Sequence, residues 1–221
     1  AETVVHFDER GAAFFALGSG ISGNPAAVIC TSGTAAANCW PAVAEAFYSG
    51  IPLLVLSADR PPELQACGAN QTMDQVNLFG DHVRAHLELP CPDTLIPPES
   101  ILTGIDAVMA AGLGHNKGPV HINCMFREPL APISVAAPWP DSYMSRLKSW
   151  DAVHAPYTCW ETPRTALTFE QVTGLTEMLS STDKGLLVIG RINDPDECDA
   201  VSALANKLHW PVLADCTSGC R

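Results

Sequence analysis

The chain has 221 residues, 47% of them hydrophobic and 16% charged, which is enough to bury one full core and part of a second. Its formal net charge of -12, with 12 Lys and Arg scattered along the sequence, argues against a nucleic-acid partner, because binding a polyanion depends on clustered cations that displace counterions. No apolar run reaches the roughly 18 residues that span a bilayer, and the first residues lack a signal peptide's basic start and cleavage pattern, so an intracellular protein without a membrane span is expected.

In chain order, TVVHF at residues 3–7 is an apolar, β-branched run that predicts a buried strand, and it ends in three consecutive charges, Asp8, Glu9 and Arg10. A helical pattern follows. AAVIC predicts the next strand, AAANCWPAVAEAFYSG a helix, PLLVLSA a third strand, PESILTGIDAVMAAGLG a further helix and PVHINC a fourth strand. This alternation builds βαβ units. The expected fold class is α/β, a doubly wound parallel sheet over residues 1–137, with strands apolar on both faces because helices cover both. From about Pro129 prolines multiply and periodicity fades, which reads as a linker over 138–165. Beyond it TFEQVTGLTEMLSS, KGLLVIG, DECDAVSALANKLHW and PVLADC alternate helix and strand, and predict the beginning of a second, Rossmann-like α/β domain over 166–221. With no initial methionine and too little sequence to close that second core, the chain reads as an internal fragment.

Nine cysteines at irregular spacings point to a reducing compartment, and neither the C-x3-C pair Cys216 and Cys220 nor the seven histidines, which include no HExxH, predict a metal site. The run Gly18 to Gly23 matches GxGxxG, but it follows a helix and precedes a strand, the reverse of the dinucleotide-binding context, and reads as a helix exit.

Ligands of doubly wound sheets bind beyond the carboxyl ends of the strands, so the polar strand exits belong together. At the first, Asp8 is the expected N-cap, and Glu9 either complements the helix dipole or faces a ligand with which it exchanges a proton. At the second, Thr31, Ser32, Gly33 and Thr34 offer two capping hydroxyls, a glycine that lets the backbone approach a ligand, and a helix N-terminus open to an anion; a capped turn and a ligand loop remain equal readings. At the third, Arg60 carries a planar fork suited to a carboxylate, although Asp59 beside it could satisfy it in a structural ion pair. Asn70 and Gln71 follow in a Gly-led polar loop.

The segments HFDERG, TSGTAAANCWPAVAEA, SADRPPELQACGANQ and GPVHINCMFREPL, in that order, resemble the pyrimidine-binding domain of the menaquinone-pathway thiamine diphosphate enzyme 2-succinyl-5-enolpyruvyl-6-hydroxy-3-cyclohexene-1-carboxylate synthase, in a version most like that of plants and algae. KGLLVIG and WPVLADCTSG extend the resemblance into the central domain. The resemblance implies that Glu9 hydrogen-bonds N1′ of the cofactor's aminopyrimidine, that Thr31 to Thr34 lie near that ring, and that Arg60, Asn70 and Gln71 face substrate. It implies decarboxylation of 2-oxoglutarate and addition of the remaining four-carbon unit to isochorismate. It further implies Mg2+ held by a diphosphate-binding domain that another subunit supplies in a homo-oligomer, and a plastid location if the source is an alga or plant, cytoplasm otherwise. That domain and the family's Gly-Ser-Arg-rich substrate loop are not in this sequence, so half a site, catalytically silent alone, is expected. Met125 stands where the family usually has proline. Two alternatives stay open: an acetolactate synthase-like enzyme, which usually has proline where Thr34 stands, and a non-catalytic binding module.

Overall fold

The structure is a computed structural model that describes residues 2–131, 139–153, 155–161, 165–192 and 195–220. It divides into two compact units, Ala1–Pro163 and Arg164–Arg221.

In the first unit four parallel strands, β1 (Ala26–Cys30), β2 (Leu53–Asp59), β3 (Ala85–Leu89) and β4 (Pro119–Met125), lie in the order β1-β2-β4-β3. Helices α1 (Glu9–Ile21), α2 (Thr34–Asn38) and α3 (Trp40–Ser49) cover one face, and α4 (Pro98–Leu113) covers the other. Strand periodicity of two sorts the side chains. Val28, Leu53 and Val55 pack with Ala13, Leu17, Val43 and Phe79 on the first face, whereas Leu54, Leu56, Val120, Ile122 and Leu87 meet Ile105 and Val108 of α4 on the second. The parallel, two-faced sheet expected from the alternating pattern is therefore present. AHLEL at β3 carries two polar residues in five and gave no strand signal in the sequence; its pairing with β4 supplies what its propensity does not.

Residues 3–7 correct one expectation, since TVVHF forms no strand. A strand exists through its ladder, and among the described residues nothing pairs with this run. Val5 and Phe7 are fully exposed, and β1 ends the sheet with Ile29 79% exposed. The helix start that follows is as expected: Asp8, in extended backbone, accepts the Gly11 N–H at 3.0 Å on Oδ1, and Glu9 opens the first turn of α1. The single helix expected from Ala35 to Ser49 is two, broken at Cys39 and restarted by Pro41, which has no N–H to continue the α2 ladder.

Residues of the expected linker hold to α4. The short helices α5 (Asp141–Met144) and α6 (Lys148–Asp151) flank Arg146, whose guanidinium grips both oxygens of Glu99 at 2.6 and 2.7 Å, and Thr158 binds Thr103 Oγ1 and Asp106 Oδ2. The second unit comprises α7 (Phe169–Ser180), started by a capping box between Thr168 and Gln171, α8 (Pro195–Leu208), and the parallel pair β5 (Leu187–Ile189) and β6 (Val212–Ala214).

Two glycines of α1 make the close packing testable. A Cβ at Gly20 would stand 2.8 Å from the Pro52 carbonyl oxygen, while one at Gly18 would meet nothing within 4 Å. Gly18→Ala should stabilise the chain by about 0.5–1 kcal/mol through helix propensity, and Gly20→Ala should destabilise it; urea unfolding of both variants checks the opposite signs.

Candidate active site

The first two strand exits and the start of α1 lie at the carboxyl ends of the strands. Glu9, half-buried, accepts a 3.3 Å hydrogen bond on Oε2 from Asn38 Nδ2 of α2, and this is its one side-chain hydrogen bond among the described residues. That bond sets it beside α2, the helix that follows the exit of β1.

The Thr31 to Thr34 turn is held by the loop after β2. Gln71, at φ 56°, donates from Nε2 to Thr31 Oγ1 (3.0 Å) and to the Ser32 carbonyl (3.1 Å), and Ser32 Oγ donates back to the Gln71 carbonyl at 2.9 Å. Ser32 and Thr34 therefore cap nothing. The N-cap is Gly33, at φ 79° and ψ -142°, where a Cβ would come within 3.2 Å of Gln71 Cγ. Its N–H, expected to face a ligand, turns inward to Gln75 Oε1 at 2.6 Å, so this amide is not available to an anion. The close approach that requires glycine here is made by the chain's own Gln71.

Arg60 is not paired with Asp59. Asp59 Oδ1 accepts from the Arg60 backbone N–H at 2.7 Å and from Gln65 Nε2 at 3.2 Å, and its Oδ2 accepts from Asn123 Nδ2 at 2.8 Å. The Arg60 side chain, half-buried, donates from Nε to the Asn70 carbonyl at 3.3 Å. Among the described residues its guanidinium has no carboxylate partner, which leaves its charge for an anion. The structure thus brings Thr31, Ser32, Gly33 and Gln71 into one hydrogen-bonded group and joins Arg60 to Asn70, while Glu9 bonds to none of them.

Beneath these loops runs a buried polar row that sequence reasoning missed. In the sheet register Ser57 of β2, Asn123 of β4 and Glu88 of β3 stand side by side. Asn123 is fully buried; its Nδ2 donates to Asp59 Oδ2 and to Glu88 Oε2 (2.7 Å), and its Oδ1 accepts from Ser57 Oγ (2.8 Å) and Gln75 Nε2 (2.9 Å). Ser57 has one proton, and Asn123 takes it. His121 Nε2, 2.7 Å from the same oxygen, must therefore carry its own proton, which leaves Nδ1 as a bare lone pair with no partner. Burial holds His121 neutral, its pKa pushed down to about 4, and Phe79 packs edge-on against the ring. Burial also pushes Glu88 up, and its Oε1 has no hydrogen-bond partner. The sequence signal was period-two polarity within the strands, Ser57 with Asp59 and His121 with Asn123.

A cavity of about 400 Å3 opens between the ends of β3 and β4, against Pro62, Glu88, Cys91, Met125 and Arg127, with Arg127 bound to both oxygens of Glu63. None of the site residues expected from the sequence lines it. His82 and His86 have ligand-like spacing but do not converge on a metal: His82 packs against Trp40, Phe47 and Tyr48, and among the described residues no three His, Cys, Asp or Glu side chains gather as one. No helix among them is long and apolar enough to cross a membrane.

Comparison with known proteins places this arrangement in a class. Residues 1–78 match the family model described as thiamine pyrophosphate enzyme, N-terminal TPP binding domain, and residues 141–221 match the middle domain of thiamine pyrophosphate enzymes. Both models describe domains of thiamine pyrophosphate enzymes. The chain is similar to the 2-succinyl-5-enolpyruvyl-6-hydroxy-3-cyclohexene-1-carboxylate synthases, 45% identical to that of Salinibacter ruber over 100% of this chain and 37% of that protein. It is 42% identical to the synthase of Chlorobium luteolum over 97% of this chain and 36% of that protein. It is also 42% identical to Protein PHYLLO, chloroplastic, of Arabidopsis thaliana, over 97% of this chain and 13% of that protein. The chain thus spans little more than a third of the bacterial relatives it matches.

His121 gives the buried row a pH signature. Its folded pKa, about 4, lies below the ordinary 6.5, so the unfolded chain binds more protons between those values and this contribution to stability is complete above pH 6.5 and lost as pH falls toward 4. Urea midpoints measured from pH 7 to 4.5 should fall more steeply for the unaltered chain than for His121→Gln; parallel profiles would contradict a neutral, buried His121.

Proposed function

We propose that this chain supplies the pyrimidine-binding half of the active site of a 2-succinyl-5-enolpyruvyl-6-hydroxy-3-cyclohexene-1-carboxylate synthase, in menaquinone or phylloquinone biosynthesis. The observation that carries the reading is Glu9, a half-buried carboxylate in the first turn of α1 with a single 3.3 Å hydrogen bond among the described residues, in a segment matched to a thiamine pyrophosphate-binding domain. Capping is done by Asp8, so Glu9 is spare.

The residues present fit one edge of an aminopyrimidine. Glu9 offers an acceptor carboxylate beside Asn38, and exposed Thr31 and Gln71 stand on the neighbouring exit. Bound thiamine diphosphate supplies the nucleophilic carbon that attacks a 2-oxo acid. Glu9 holds the proton at the ring N1′, and Asn38 fixes the carboxylate for that task. Arg60 carries the uncompensated cation that orients a carboxylate of 2-oxoglutarate or isochorismate, with Asn70 and Gln71 beside it. The Mg2+ and diphosphate contacts come from a diphosphate-binding domain of a second subunit in a homo-oligomer. The similarity to a chloroplastic relative supports a plastid location for an algal or plant source, and the bacterial relatives support cytoplasm for a bacterial one.

In the complete gene product, Glu9→Gln should lower kcat by about 100-fold or more, the upper part of the range for lost acid–base catalysis, with an unchanged melting temperature. Turnover of 2-oxoglutarate and isochorismate near that of the unaltered protein would overturn the assignment.

A further inference from the structure

Gln75 is fully buried, and both ends of its amide are committed. Oε1 accepts from Gly33 N at 2.6 Å; Nε2 donates to the Ala58 carbonyl at 3.0 Å and to Asn123 Oδ1 at 2.9 Å. Neither this amide nor that of Asn123 can be flipped. Two carboxylate oxygens require the Asn123 NH2, two donors require its oxygen, and a backbone N–H requires the Gln75 oxygen.

The result is a directed chain of hydrogen bonds. It runs from the Asp59 and Glu88 carboxylates through the Asn123 and Gln75 amides to the Gly33 peptide. Each bond polarises the next in a site excluded from water. Gly33 sits at φ 79° and ψ -142°, backbone open to glycine and closed to other residues. At the other end Asp59 Oδ1 fixes the backbone N–H of Arg60. One connected row therefore sets the turn at the exit of β1 and the start of the loop at the exit of β2, which the sheet register alone leaves independent.

We propose that Gln75, held by Asn123, is a positioning residue: it fixes the Gly33 peptide of the cofactor-facing turn and couples that turn to the Arg60 exit. This rests on the functional reading above. Gln75 touches no reacting atom and acts through Gly33, so its removal should disturb cofactor binding beyond any loss of stability.

The test is thiamine diphosphate affinity of the complete gene product by calorimetry, at a temperature where melting curves show each variant folded. Gln75→Met preserves side-chain length but removes both hydrogen-bonding ends and should weaken cofactor binding by about tenfold or more, the equivalent of leaving one buried group unpaired. Gln75→Glu keeps an acceptor for Gly33 but opposes the Ala58 and Asn123 oxygens, and should weaken it likewise; it serves alone if Gln75→Met does not fold. His121→Gln is the control, since it lowers stability from the same row without lying between Asn123 and Gly33, and its affinity should match the unaltered protein. Affinities of the Gln75 variants within twofold of the unaltered protein, or an equal loss in His121→Gln, would overturn the positioning role. No binding by the unaltered protein would overturn the functional reading, and the inference with it.

Discussion

The hydrogen bonds of Asn123 are the constraint on which the rest of the candidate site depends. A primary amide buried between two carboxylates on one side and two donors on the other has every hydrogen-bonding position filled, and in a site shielded from water an unfilled one is costly. Asn123 sits in register between Ser57 and Glu88, so three strands contribute to one polar row. The loops above inherit their positions from it. Asp59 is turned so that it caps the Arg60 backbone rather than pairing with the Arg60 guanidinium, and Gln75 is turned so that it holds Gly33. The unpaired cation expected to meet substrate is thus a consequence of a hydrogen bond made below the surface.

This arrangement separates two demands that a strand exit must meet. The loops must be polar enough to face solvent and any ligand, and they must be rigid enough to present their groups in one geometry. Rigidity comes from Gln71, on the Thr31 hydroxyl and the Ser32 carbonyl, and from buried Gln75 on Gly33, so the groups of Glu9 and Arg60 need few partners of their own.

The fold was legible because apolar runs and helical patterns alternate, and the two-faced burial of β2 follows from its near-continuous apolar sequence. TVVHF misled because residue preference specifies a strand only when a neighbour supplies the ladder, and AHLEL was overlooked for the converse reason. Asp8 was legible as the N-cap of α1, because a short polar side chain directly before a helical pattern meets its free N–H groups. What sequence could not show was direction. The turn at Thr31 to Thr34 left a capped turn and a ligand loop as equal readings, and only the structure shows Ser32 and Gln71 bonded to each other and the Gly33 N–H turned to Gln75. Asn123, Gln75 and Glu88 come together from three segments through sheet order, and local spacing carries no trace of that convergence.

The claim that a buried amide row sets the cofactor-facing turn is tested most directly by amide exchange at Gly33. Its N–H sits in the turn after β1, where an amide open to solvent would exchange quickly, yet it is held at 2.6 Å by a buried side chain. Nuclear magnetic resonance of the labelled chain should show this proton shifted downfield and exchanging as slowly as amides in the middle of β2. Exchange as fast as that of the exposed Asn70 amide would contradict the account.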